Sequence, residues 1–235
     1  MSAALYLIPI AIANPEEKPF HTPEIETAIK QCEGFIVENA RTARRALKKV
    51  MPNMEIDDFQ WIVYDKHKGW PSEEIKQAFS KNKNWGLLSE AGCPAVADPG
   101  EQVVKWAHES QYQVKPLVGP NSILLALMSS GLNGQHFKFS SYLPIDKKKC
   151  IFQIKKLEQE SKQEQLTQIF IETPYRGQEL FKLFLQHLHP KTLLCVAAGI
   201  QTENEFIQTH KVEDWKINKV NIHKIPTVFL FLSQY

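Results

Sequence analysis

Apolar residues in the first half of the chain fall alternately into short unbroken runs and into stripes with helical spacing. The opening run, Leu5-Tyr6-Leu7-Ile8 continuing to Ile12 and ended by Asn14-Pro15, predicts a buried first strand that leads into a loop. Thr22-Pro23-Glu24 then supplies a capping hydroxyl, a proline at the first helical position and an acid in the first turn. Ile25, Ala28, Ile29 and Cys32 follow on one helical stripe. Gly34-Phe35-Ile36-Val37 predicts a short buried strand, and Ala43, Ala46, Leu47 and Val50 predict a second helix stopped by Pro52. A strand over 59–64, a capped helix over 72–81 and a strand over 85–88 come next. After a Gly- and Pro-rich loop, a helix carries Val103, Val104 and Ala107, and a strand covers 114–117. This βαβα rhythm predicts an α/β domain with a mostly parallel sheet.

The rhythm changes beyond the turn Val118-Gly119-Pro120-Asn121. A helix over 122–130 leads to a strand over 137–142, a Lys- and Gln-rich helix over 147–161, a strand over 168–171 and a helix over 180–188. Strand-like runs at 193–197, 205–209 and 227–232 then arrive in succession, which predicts an α+β domain with antiparallel pairing in a mixed sheet. The expected domains are 1–118 and 119–235. No internal repeat or low-complexity tract is present.

Composition narrows the classes. The 235 residues are 43% hydrophobic and 23% charged, which excludes a disordered chain and supplies core for one large domain or two modest ones. With 28 Lys and Arg against 26 Asp and Glu, the net charge is +2, so attraction to nucleic acid or anionic lipid has to come from a local patch. Cys32, Cys93, Cys150 and Cys195 lie far apart, without C-x-x-C or zinc spacing, and predict reduced thiols in a cytoplasmic protein. The opening run lacks the basic segment of a signal peptide and is interrupted by Pro9. No other apolar run reaches the roughly 18–20 residues that span a bilayer, so no membrane role is expected. The eight histidines show no H-x-x-x-H or carboxylate-histidine clustering, and no metal is expected. Trp61, Trp70, Trp85, Trp106 and Trp215 sit mostly in strand or helix patterns and read as core, as does the helical spacing of Phe181, Phe184 and Leu185. Lys147-Lys148-Lys149 reads first as a solvated helix face and second as a phosphate contact.

The chemistry points to the loop after the strand at 85–88: Ser89-Glu90-Ala91-Gly92-Cys93-Pro94-Ala95-Val96-Ala97-Asp98-Pro99-Gly100. Loops at the ends of parallel strands are where α/β proteins bind ligands, and small residues with two prolines allow close approach to a stiff backbone. A tight structural turn fits the same composition. Neither G-x-x-x-x-G-K-[ST] nor G-x-G-x-x-G occurs, so nucleotide hydrolysis and dinucleotide redox chemistry lack support.

The string S-E-A-G-C-P-A-V-A-D-P-G resembles the S-D-A-G-T-P-x-x-x-D-P-G signature of the tetrapyrrole methylase family, and most of all its small-subunit ribosomal RNA (cytidine-2′-O)-methyltransferase branch. The remaining segments agree in order. L-Y-L-I-P-I-A-I-A-N resembles L-Y-x-V-x-T-P-I-G-N, E-N-A-R from Glu38 to Arg41 stands for E-D-T-R, and V-G-P-N-S followed by A-L-x-x-S-G-L resembles P-G-P-S-A with the same A-L-x-x-S-G-L. F-x-F-x-x-Y-L-P from Phe137 resembles F-x-F-x-G-F-L-P, and I-E-T-P-Y-R from Ile171 resembles Y-E-A-P-H-R.

The resemblance implies a two-domain α/β fold with S-adenosylmethionine in a cleft between the domains, a methyltransferase activity, and a homodimer. Carried over residue by residue, the cofactor-binding positions are Pro9, Ala91, Gly92, Cys93, Pro94, Asn121, Ser122, Pro226 and Thr227. Asn121 and Ser122 also read as a plain helix cap. The catalytic residue is not identified; the candidates are Glu38 and Glu172 as base and Arg41 and Arg176 as orienting groups. There are departures. The branch's P-I-G-N is here Ala11-Ile12-Ala13-Asn14, and its A-R-E-L-T-K is Ala197-Ala198-Gly199-Ile200-Gln201-Thr202, without the Arg-Glu pair. The sequence also ends soon after the last strand-like run, leaving no room for the C-terminal helical segment of some ribosomal members. The acceptor expected is a ribose 2′-hydroxyl of ribosomal RNA. The alternatives are a tetrapyrrole or other small-molecule acceptor, or cofactor binding without turnover.

Overall fold

The computed structural model describes residues 3–13, 19–64, 73–215, 217–218 and 220–234. Asn14, Pro15 and Trp70, singled out above, and the first residue of the helix expected over 72–81 lie outside them. The chain divides into two compact units, Met1–Asn121 and Ser122–Tyr235, and the division falls within the turn that follows the fifth strand.

In the first unit, β1 (Ala4–Leu7), β2 (Gly34–Val37), β3 (Gln60–Val63), β4 (Trp85–Leu88) and β5 (Gln113–Pro116) form one all-parallel sheet in the order β3-β2-β4-β1-β5. Burial on both faces explains why β2 and β4 read as unbroken apolar runs. Helix α1 (Pro23–Gln31) starts as its sequence requires, with Thr22 Oγ1 accepting from Ile25 N and Pro23 in the first turn. Helices α1 and α2 (Ala40–Val50) cover one face through Ile25, Ile29, Ala43 and Leu47. Helices α3 (Glu73–Ser80) and α4 (Glu101–Glu109) cover the other through Ile75, Phe79, Val103 and Ala107. Trp85 and Trp215 are core residues, whereas Trp61 is half-buried with the Arg44 guanidinium 5.1 Å from its ring.

The second unit is a mixed five-stranded sheet in the order β6-β7-β10-β8-β9. Its strands are β6 (Phe137–Phe139), β7 (Thr167–Glu172), β8 (Leu193–Ala198), β9 (Phe206–Lys211) and β10 (Thr227–Leu232). Only β6 and β7 are parallel neighbours; the other pairs are antiparallel. Helices α6 (Lys147–Glu164), α7 (Gly177–His187) and α8 (Val212–Trp215) share a core with Phe170, Phe229 and Phe231. Helix α5 (Ser122–Ser130) packs against β10 and β9, on the face to which Val228 and Leu230 alternate.

Some elements differ from expectation, among them a single 3-10 turn at Ile56–Asp58. The strand expected over 137–142 stops at Phe139, because Ser141 adopts φ 57° and turns the chain out of the sheet before Tyr142. Helix α8 has no sequence counterpart above, since four residues carry no helical period.

Candidate functional site

In a parallel sheet every strand ends at the same edge, so the loops after β1, β4 and β5 of the first unit leave side by side. The chain leaves β1 through α1 on one face and β4 through α4 on the other, and these two strands are neighbours. Such a reversal of direction opens a crevice at the strand ends.

The three loops are fastened to one another. Ile10 N donates to Gly92 O at 3.0 Å, joining the first loop to the loop after β4. The Cys93 thiol lies 3.4 Å from Pro120 O and 3.8 Å from Gly119 O, joining that loop to the turn after β5. Gly119 packs so tightly on Pro9 that a Cβ there would overlap the proline ring, which closes the triangle. Gly92 has φ +70°, and a Cβ on it would stand 3.1 Å from Ile12 Cγ2 and 3.3 Å from Pro120 O. Ala95 (φ 64°) and Ala97 (φ 61°) are left-handed without being glycine. Each such alanine costs on the order of 1 kcal/mol. Strain held in a loop with side chains no larger than Ala and Cys at 91, 93, 95 and 97 leaves backbone open to a ligand, which suits a cofactor bound mainly through main-chain groups.

Titrating groups surround this cradle. Burial pushes the Cys93 thiol up, partly offset by its hydrogen bond with Asn121. Burial also raises the Asp98 carboxyl; the Ser89 hydroxyl opposes that shift and the Glu90 charge adds to it. At the ends of β2 and β3, the Tyr64 phenol is raised by burial and then by the charges of Glu101 and Glu38. Asn39 caps α2 by accepting from Arg41 N and Thr42 N, while the Arg41 side chain is exposed.

In the second unit the Glu172 carboxylate is fully buried at the end of β7. Its Oε2 lies 3.4 Å from Arg176 Nη2, and its Oε1 accepts from Thr173 N at 2.7 Å. Arg176 also donates to Leu143 O and Pro144 O, tying the loop after β7 to the loop after β6. The exit of β8 is held by Gly199 N donating to Pro226 O at 2.9 Å, and Gly199 has φ +59°. Pro226 is exposed; Thr227 is buried and donates to Ile225 O.

No family model matches the chain. Among curated proteins, it is 31% identical over 205 residues to the ribosomal RNA small subunit methyltransferase I of Bacillus subtilis, covering 87% of this chain and 66% of that protein. It is 30% identical over 204 residues to the protein of that name from Halalkalibacterium halodurans, covering 87% and 67%. The chain belongs to the tetrapyrrole methylase family of S-adenosylmethionine-dependent methyltransferases. It spans about two thirds of the length of these relatives. Among solved structures, the methyltransferase CobJ matches with a TM-score of 0.61 at 15% identity, over 99% of this chain and 95% of that one. A uroporphyrin-III-C-methyltransferase from Thermus thermophilus matches with 0.52 at 14%, over 99% and 93%. At such identity these two speak for the methylase fold alone.

Of the methylase cofactor positions carried over from the sequence, the first unit gathers Pro9, Ala91, Gly92, Cys93, Pro94 and Asn121 at one sheet edge. Ser122 opens α5, Thr227 opens β10, and Pro226 directly precedes it. Glu172 and Arg176 are in contact, and Glu38 and Arg41 sit at the junction of β2 and α2. Sequence reasoning missed the Gly119–Pro9 contact and Tyr64. The first had a signal, a glycine inside the V-G-P-N turn. The second had none, because one tyrosine at a strand end carries no spacing. Among the described residues no group of three or more His, Cys, Asp or Glu is placed to hold a metal, and no helix is long and apolar enough to cross a membrane.

Proposed function

We propose that this methylase transfers a methyl group to a ribose 2′-hydroxyl of small-subunit ribosomal RNA. The observation that carries the reading is the triangle of fastened loops at the sheet edge, built on residues that match the family's signature loop, first loop and turn. The relatives' name, ribosomal RNA small subunit methyltransferase I, supports small-subunit ribosomal RNA as the substrate. Bound S-adenosylmethionine supplies an electrophilic methyl carbon on a sulfonium with a neutral leaving group. The chain then has to hold the cofactor and acceptor in line, exclude water and accept the hydroxyl proton. Ala91 to Pro94 and Pro9 offer backbone for the first task, and Asn121 and Ser122 directly follow Pro120 in the turn after β5. Glu172, sealed against Arg176 and Thr173, is suited to holding loops rather than taking a proton, which leaves Glu38 as the base we favour.

We further assign the protein a homodimeric state and a cytoplasmic place of work. The first draws on the exposed Met128 of α5 and on Val118, and the second on where ribosomal RNA is modified. Sedimentation of the purified protein at twice the monomer mass is the check on the dimer. For the activity, small subunits from a strain lacking this protein should accept labelled methyl from S-adenosylmethionine without added metal, and digestion should locate the label on a ribose. Label that appears only on small molecules of the same extract would favour the alternative acceptor. Binding of S-adenosylhomocysteine with no transfer to either would favour a protein without turnover.

A further inference from the structure

The loops that leave β6 and β7 carry two exposed tyrosines, Tyr142 and Tyr175. Because these strands are parallel neighbours, their exits lie side by side, and Ile171 N donates to Ser141 O beyond the end of β6. Arg176 then forks onto the carbonyls of Leu143 and Pro144. The residue after Tyr175 is thereby bonded to the residue after Tyr142, and both tyrosines stand on a fixed base. Tyr142 is 53% exposed and Tyr175 76%.

The same loop runs into α6, whose first turn is Lys147-Lys148-Lys149, all exposed. The helix dipole disfavours cations at that end, so the fold gains nothing from placing three there. The acids nearby are committed: Asp146 caps α6 by accepting from Lys149 N, and Glu172 is sealed against Arg176. Two exposed tyrosines therefore lie on tethered loops, and the loop that carries Tyr142 leads into three exposed lysines.

Resting on the ribosomal RNA reading above, we propose that these loops form a stacking platform for an unpaired RNA segment, with bases on Tyr142 and Tyr175 and phosphates on the three lysines. In a duplex the base faces are hidden within the stack, and the deep, narrow major groove keeps side chains from the base edges. Aromatic rings on loops serve bases that are already splayed out, and cations beside them track the backbone. The rigid Arg176 tether means that the platform exists before RNA arrives, so little ordering cost falls on binding.

The test uses fluorescence anisotropy of an end-labelled single-stranded oligoribonucleotide of mixed sequence, and of the same strand annealed to its complement. Wild type is compared with Tyr142→Ala, Tyr175→Ala, Tyr142→Phe and Tyr175→Phe, and S-adenosylhomocysteine affinity is measured by calorimetry on each preparation. We expect the single strand to bind more tightly than the duplex and each alanine variant to lose about tenfold or more in single-strand affinity. The phenylalanine variants should stay near wild type, and the cofactor affinity should not change. Alanine variants that bind single strand like wild type, or a wild type that prefers duplex, would overturn the platform. A wild type that binds S-adenosylhomocysteine but neither RNA would also overturn it and would leave the methyltransferase assignment standing. RNA results as expected without any S-adenosylhomocysteine binding would refute that assignment and keep the platform.

Discussion

Gly92 sits where three loops meet, and its missing side chain is what lets them meet. A valine there would need a left-handed backbone that β-branched residues avoid, and its Cβ would press on Ile12 and on Pro120 O. Gly92→Val should therefore weaken S-adenosylhomocysteine binding by about tenfold or more, on the order of 1.4 kcal/mol, in a protein that circular dichroism shows to be folded. Unchanged affinity in calorimetry would make the loop a turn and nothing else. Its neighbour Cys93 is the one half-exposed thiol; Cys32, Cys150 and Cys195 are buried, and burial pushes Cys32 up to about 12 and Cys195 to about 11. Native alkylation followed by peptide mapping should mark Cys93 alone. Because burial also raises Cys93, the rate should go on climbing at pH values where that of an ordinary thiol levels off, and S-adenosylhomocysteine should slow it. Burial shifts Asp98 in the same direction. A carboxyl raised by burial favours the fold below its unfolded pKa, and that contribution is lost as pH rises through the higher folded value. At pH 7 the charged form is a cost, so Asp98→Asn should melt at or above wild type there, with the gap closing toward pH 4. The position of these residues was legible in the string S-E-A-G-C-P-A-V-A-D-P-G, but the left-handed Ala95 and Ala97 were not. Alanine gives no sign of positive φ, which here is imposed by the surrounding contacts.

At the scale of elements, the tie between the exits of β6 and β7 depends on a buried carboxylate and a half-buried guanidinium. Removing Arg176 alone would strand the Glu172 charge in the core. Breaking such a pair costs up to about 3–5 kcal/mol, and the lower end applies because Arg176 keeps contact with water. Arg176→Ala should thus lower the denaturant midpoint clearly. Adding Glu172→Gln should recover part of the loss, since a neutral amide still accepts from Thr173 N and no longer needs a cation. A double variant as unstable as the single one would show that Arg176 acts through its carbonyl contacts alone. The helices and most strands here follow from apolar spacing, as the stripe Ile25, Ala28, Ile29 does for α1. The early end of β6 does not, because the hydrophobic run F-x-F-x-x-Y continues through Ser141, where one backbone angle turns the chain. The pairing of Glu172 with Arg176 was open to guess from their spacing of four. Its burial was not, since burial belongs to the packing of β7 against β10 and α6.

For the whole molecule, a net charge of +2 bears directly on how it meets RNA. Long-range attraction of a near-neutral protein for a polyanion is weak, so affinity has to come from the few cations that touch phosphate and from contacts that salt does not screen. Each phosphate neutralised on a single strand contributes about 0.7 to the slope of log affinity against log salt. Three lysines in the first turn of α6 therefore correspond to a slope of about two. Replacing Lys147, Lys148 and Lys149 together with alanine should flatten the slope by about that amount, while the binding extrapolated to high salt stays close to wild type because the tyrosine faces remain. The helix should persist, since alanine is the better helix former and the Asp146 cap is untouched. Titrations from low to moderate salt on both proteins read the two slopes directly. Equal slopes would mean that these lysines only solvate the helix face and that phosphate contacts lie elsewhere on the molecule.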